Sequence, residues 1–174
     1  MNNRTSSLCG SRINWKLSVL LVAIGAVCSA APASAQDLSG LPKPLAKKIL
    51  AAQQACTELD DGQFALEFGA VHRLDLDGDL YSDWVLDEAG FACSSAASMY
   101  CGAGGCVSHF LIGDHVNSLL TQGWDMANIG PQSVLLANVH YSQCGGISPS
   151  PCVVASVWDD DEMMWRSTEA KWQK

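Results

Sequence analysis

Phe64-Ala65-Leu66-Glu67-Phe68-Gly69-Ala70-Val71-His72-Arg73-Leu74-Asp75-Leu76 alternates in steps of two. Phe64, Leu66, Phe68, Ala70, His72, Leu74 and Leu76 fall on one side, and Ala65, Glu67, Gly69, Val71, Arg73 and Asp75 on the other. Successive side chains of a strand point to opposite faces, so the stretch predicts a half-buried β-strand, bent at Gly69. His72 lies on its apolar face, the position of a satisfied core histidine.

Upstream the period changes. Leu45, Ile49, Ala52, Cys56 and Leu59 recur at helical spacing, with Pro44 at the first turn and Gly62 after the last. Lys47 and Lys48 come early, and Glu58, Asp60 and Asp61 late, which opposes the helix dipole. Packing of the apolar face therefore has to hold this helix. Downstream, Ala89 to Gly105 reads as a Gly- and Ser-rich loop. Residues 106–112 and 115–121 flank Gly113-Asp114, a two-residue hairpin signal. Further strands are expected over 133–141, 152–158 and 163–167, the last after a turn at Asp159 to Glu162. The order predicts an α+β fold: one N-terminal helix packed on a mostly antiparallel β-sheet, stapled by disulfides.

Between the long strand and Trp84-Val85-Leu86 lies Asp75-Leu76-Asp77-Gly78-Asp79-Leu80-Tyr81-Ser82-Asp83. Carboxylates at this spacing can surround a hard cation, which takes six to eight oxygens. The run resembles the calcium loop of FG-GAP/VCBS-type repeats, and its first nine positions resemble an EF-hand loop. The flanks read as strand, so the FG-GAP/VCBS comparison is the better one. That resemblance implies calcium held by Asp75, Asp77, Asp79 and Asp83, with the backbone carbonyl of Tyr81 as a fifth ligand. It covers about a dozen residues in a single copy and implies no propeller. Leu80 stands where such loops carry Gly, and Leu86 where an EF-hand carries its bidentate Glu. The competing reading is a solvated acidic hairpin, since Asp and Gly are ordinary turn formers. Asp75, Asp77 and Asp79 would then repel one another.

The ends and the composition bound the setting. Residues 1–35 read as a secretory signal: Arg4, Arg12 and Lys16, an apolar run from Leu17 to Val27, then Ala33-Ser34-Ala35. The run is short of the about 20 residues that span a bilayer. Val27 before Cys28 disfavours lipid attachment. Residues 36–44 read as a linker and 45–174 as one domain. Past the signal the chain keeps 7 basic and 18 acidic residues, and 7 − 18 gives a net charge of −11. That sign disfavours nucleic acid and suits cations or a basic protein partner. No second segment is apolar enough for a membrane span after signal cleavage.

Six cysteines remain past the signal: Cys56, Cys93, Cys101, Cys106, Cys144 and Cys152. An even number in an exported chain indicates disulfides, although six cysteines allow about 15 pairings. Cys101–Cys106 and Cys144–Cys152 are the expected local staples, with Cys56–Cys93 tying helix to sheet. The spacing of Cys101-Gly-Ala-Gly-Gly-Cys106 lacks the Lys-Ser/Thr of a phosphate-binding loop. Its glycines are better explained by a tight disulfide loop.

His109 and His115 flank the hairpin turn as a possible facing pair, and His140 lies near the end of a strand. Nothing in the order of Ser, His and Asp singles out a catalytic triad, and the metalloprotease motif is missing from the sequence. The layout also resembles small exported bacterial proteins of unknown function. The functional expectation is a periplasmic or secreted, non-enzymatic binding domain, calcium-stabilised, with a basic protein as partner. Two alternatives stay open: a cell-envelope hydrolase using an acid/His site, and a structural envelope component.

Overall fold

The computed structural model describes residues 38–144 and 152–167. Residues 1–37, which hold the segment read as a signal and the first two residues of the linker, lie outside the described residues, as does Trp172. A single α-helix occurs among them, α1 (Lys43–Glu58). It begins inside the stretch read as linker: Pro42 is the N-cap residue and Pro44 sits in the first turn. There is no side-chain cap, no acid in the first turn and no base in the last. The helix is held by burial of Leu45, Ile49 and Cys56, and by the Tyr100 hydroxyl, which donates to the Ala52 carbonyl at 2.8 Å. Leu59, expected on the apolar face, is 41 % exposed because the helix has already ended. The left-handed residues of that ending are Asp60 and Asp61, not Gly62. Gly62 serves a close approach instead: a Cβ there would collide with Ser95 Oγ and lie 2.8 Å from Cys93 Sγ.

The long strand expected over residues 64–76 is two strands, β1 (Phe64–Leu66) and β2 (Val71–Leu74). The chain turns between them, with Gly69 at φ +89°, and Phe68 projects fully into solvent. The period of two continued through the turn, so Phe68 looked inward from the sequence alone. The remaining strands are β3 (Asp83–Asp87), β4 (Phe91–Cys93), β5 (Cys101–Gly102), β6 (Gly105–Ile112), β7 (His115–Thr121), β8 (Gly123–Ile129), β9 (Gln132–Val139), β10 (Cys152–Asp159) and β11 (Met164–Ser167). β4 and β5 fall inside the stretch read as loop.

The single sheet of the sequence reading is three sheets, all paired antiparallel. They are β1-β4, β2-β3-β6-β5 with β7 also on β6, and β11-β10-β9-β8. β6 is buried continuously from Ser108 to Ile112, as a strand covered on both faces must be. Val85, Phe110 and Ile112 enter one core with Leu76, Leu135 and Trp165, while Leu86 and Leu111 enter a second with Leu45, Ile49 and Phe91. Neighbouring residues of β3 and β6 thus feed opposite cores. The middle sheet is sandwiched between α1 and the β8–β11 sheet.

Disulfides join Cys56 to Cys93, Cys101 to Cys106 and Cys144 to Cys152. The first links α1 to β4. No helix among the described residues is long and apolar enough to cross a membrane.

Candidate cation site

The loop between β2 and β3 is built by its own carboxylates. Asp75 accepts the N–H of Gly78 at 2.7 Å and that of Leu80 at 3.1 Å, one on each oxygen. Asp77 accepts from Asp79 at 3.0 Å, and Asp79 from Tyr81 at 2.8 Å. Asp83 accepts the N–H of Leu76 at 3.0 Å. Leu76 is fully buried and anchors the loop in the core. Leu80 adopts φ +73°, so the backbone makes a left-handed turn there, and a branched side chain carries that strain.

These bonds bring one oxygen from each of Asp75, Asp77 and Asp83 within 4.8 Å of the others. All three residues are half-buried. Asp79 lies exposed at the rim and is not one of the three, and Tyr81, whose carbonyl is the expected fifth ligand, is 77 % exposed as a residue. Burial pushes the Asp83 carboxyl up to about 6, and the charges of Asp77 and Asp79 push the same way against the N–H groups of Leu76 and Gly113. Burial also raises Asp77, with Asp79, Asp75 and Asp160 adding repulsion while the Asp79 N–H opposes. The donor set is all oxygen, the kind a hard divalent cation takes. A cation at the convergence would offset both the repulsion and the lost hydration of these carboxylates.

The cluster borders a cleft of about 490 Å³ lined by Asp77, Asp79, Asp83 and Trp84 of the loop and β3, and by Asp114, Trp158, Asp160 and Met163. Asp114 and Asp160 were not singled out in the sequence. Each belongs to a turn, β6–β7 and β10–β11, and only the tertiary fold brings those turns beside the loop. Trp158 packs edge-to-face on Trp165, its cross-strand partner, with ring centroids 5.6 Å apart. It therefore both fills core and lines the cleft.

The histidines do not assemble as a facing pair. His109 is 4 % exposed and sits opposite Ser118, whereas His115 sits opposite Ile112 and contacts Asp114 at 2.7 Å on the surface. His72 packs edge-to-face on Trp124, with ring centroids 5.4 Å apart. Comparison with protein-family models, curated proteins and solved structures finds no match to this chain.

Proposed function

We propose that the chain is an exported binding domain, held by its disulfides and by calcium in the Asp75–Asp83 loop, whose acidic cleft receives a basic side chain of a protein partner. The observation that carries this reading is the convergence of Asp75, Asp77 and Asp83 at the edge of a cleft that Asp114 and Asp160 also line. Calcium would take the three converging carboxylates, with Asp79 and the Tyr81 carbonyl completing the set by resemblance. Asp114 and Asp160 would remain to attract a lysine or arginine, and Trp84 and Trp158 would cover its aliphatic stem. Export is supported by the sequence of residues 1–35 and is compatible with three disulfides.

Thermal unfolding of the oxidised mature protein, with calcium and with chelator, tests the cation. A ligand bound only by the folded form stabilises it by about 2.7 kcal/mol at 100-fold over its Kd. The midpoint should therefore rise by several degrees in wild type and not in Asp77→Asn. An unchanged midpoint at millimolar calcium would remove the cation from the reading. Salt-sensitive association with a cationic protein, weakened by Asp114→Asn and Asp160→Asn while the calcium shift persists, tests the cleft separately.

A further inference from the structure

Glu88, His109 and Ser118 form a continuous hydrogen-bonded chain, and none of them belongs to the acidic loop. Ser118 Oγ lies 2.7 Å from His109 Nδ1, and His109 Nε2 lies 2.9 Å from Glu88 Oε1. The β6–β7 register enforces the first contact: Ile112 faces His115 across the turn, and three pairs further His109 faces Ser118. Glu88 opens a 3-10 turn at the end of β3, fixed where the Ala89 N–H donates to Asp87 Oδ1 at 3.0 Å. The imidazole is buried, whereas Ser118 is exposed.

The chain has a direction. An ionised carboxylate only accepts, so Nε2 of a neutral ring carries the proton and donates to Glu88. Nδ1 then holds the lone pair, and the serine hydroxyl is the donor. A hydroxyl donating to a base that a third group orients is the arrangement of an activated nucleophile. A histidine that only fills core needs partners too, but it does not need one of them to be a solvent-facing hydroxyl.

We propose that Ser118 is a nucleophile toward ester carbonyls, with His109 as its general base and Glu88 as a positioning residue. Ser118 Oγ bonds to the acyl carbon while its proton passes to Nδ1. The ester C–O bond then breaks, and Nδ1 returns the proton to the departing alkoxide. Water, deprotonated by the same nitrogen, releases the acid and restores the serine. Val116 and Leu120 lie two residues to either side of Ser118 on its face of β7, and Leu120 is 46 % exposed. The substrate class is accordingly an ester with a small apolar acyl group, presented at the surface. None of the loop carboxylates takes part, so this activity stands or falls independently of the cation.

The test uses a fluorophosphonate probe on the oxidised mature protein, with adducts located by mass spectrometry. The probe needs only the activated oxygen, so it reads the chain directly. Ser142 is the internal comparator: it is exposed and touches His140 Nδ1 at 2.8 Å in a local contact two residues apart. The expected result is labelling of Ser118 at least about tenfold faster than of Ser142, since a positioned base contributes a factor of about 100 or more. Ser118→Ala should remove the adduct while the protein stays folded, its midpoint lowered by the loss of the partner of His109 Nδ1. Glu88→Gln should slow labelling at least about tenfold, and Glu88→Asp, which keeps the charge, should recover part of it. Because His109 is buried, its replacement can cost the fold, and the test does not depend on it. Equal labelling of the two serines, no adduct at Ser118, or labelling indifferent to Glu88→Gln overturns the proposal.

Discussion

Asp83 accepts the backbone N–H of Leu76 at 3.0 Å, and this bond fastens the last acid of the loop to a residue fully buried in the core. Ionising Asp83 therefore acts on the fold itself. Its carboxyl is raised by burial from 3.8 to about 6. A group raised in the folded state stabilises the fold when protonated; that stability is fully present below its unfolded value and is lost as pH climbs through the folded one. Chelated protein should thus lose thermal stability between about pH 4 and pH 6 through this group. Asp83→Asn should flatten the decline, and calcium should oppose it by binding the ionised form. Circular dichroism melts across that range provide the check.

Leu80 is 91 % exposed and sits at φ +73°. Its left-handed conformation costs about 1–2 kcal/mol, and glycine's greater freedom in the unfolded chain costs about 0.5–1 kcal/mol. Leu80→Gly should stabilise the domain by about 0.5 kcal/mol with no loss of burial, as read by urea denaturation.

The disulfides should differ in worth. Cys56–Cys93 spans 37 residues and Cys101–Cys106 spans 5. Loop-closure entropy gives about 4 kcal/mol for the first and about 2 kcal/mol for the second. Paired Cys→Ala replacements, compared by equilibrium denaturation, should rank in that order.

Of the glycines between Cys101 and Cys106, the backbone demands Gly105. It has φ +111°, and a Cβ there would collide with the Thr121 carbonyl oxygen. Gly102 faces open space. Gly105→Ala should cost more than about 2 kcal/mol and Gly102→Ala less than about 0.5 kcal/mol. Similar costs at the two positions would contradict the geometry.

Much of this was legible in local pattern. The apolar face of α1 through Leu45, Ile49 and Cys56, the Gly113-Asp114 hairpin and the turn at Asp159 to Glu162 all follow from spacing. β8 has a weak local signal: Trp124 and Met126 alternate with Asp125 and Ala127, but without neighbours in view seven mixed residues before Gly130-Pro131 do not stand out. The break at Phe68-Gly69 was hidden because the alternation runs straight through the turn. In the acidic loop the carboxylates were legible, but which three converge depends on backbone bonds such as Leu76 to Asp83. His109 opposite Ser118 could have been counted from the hairpin. Glu88 could not, since its reach depends on a short 3-10 turn with no sequence signature.

The edge-to-face indoles of Trp158 and Trp165 have a practical consequence. Two chromophores this close couple their excited states and should give a paired positive and negative signal in far-ultraviolet circular dichroism. That signal vanishes when β10 and β11 separate. The domain therefore carries its own optical gauge of the C-terminal hairpin, readable without labels and independent of the helix.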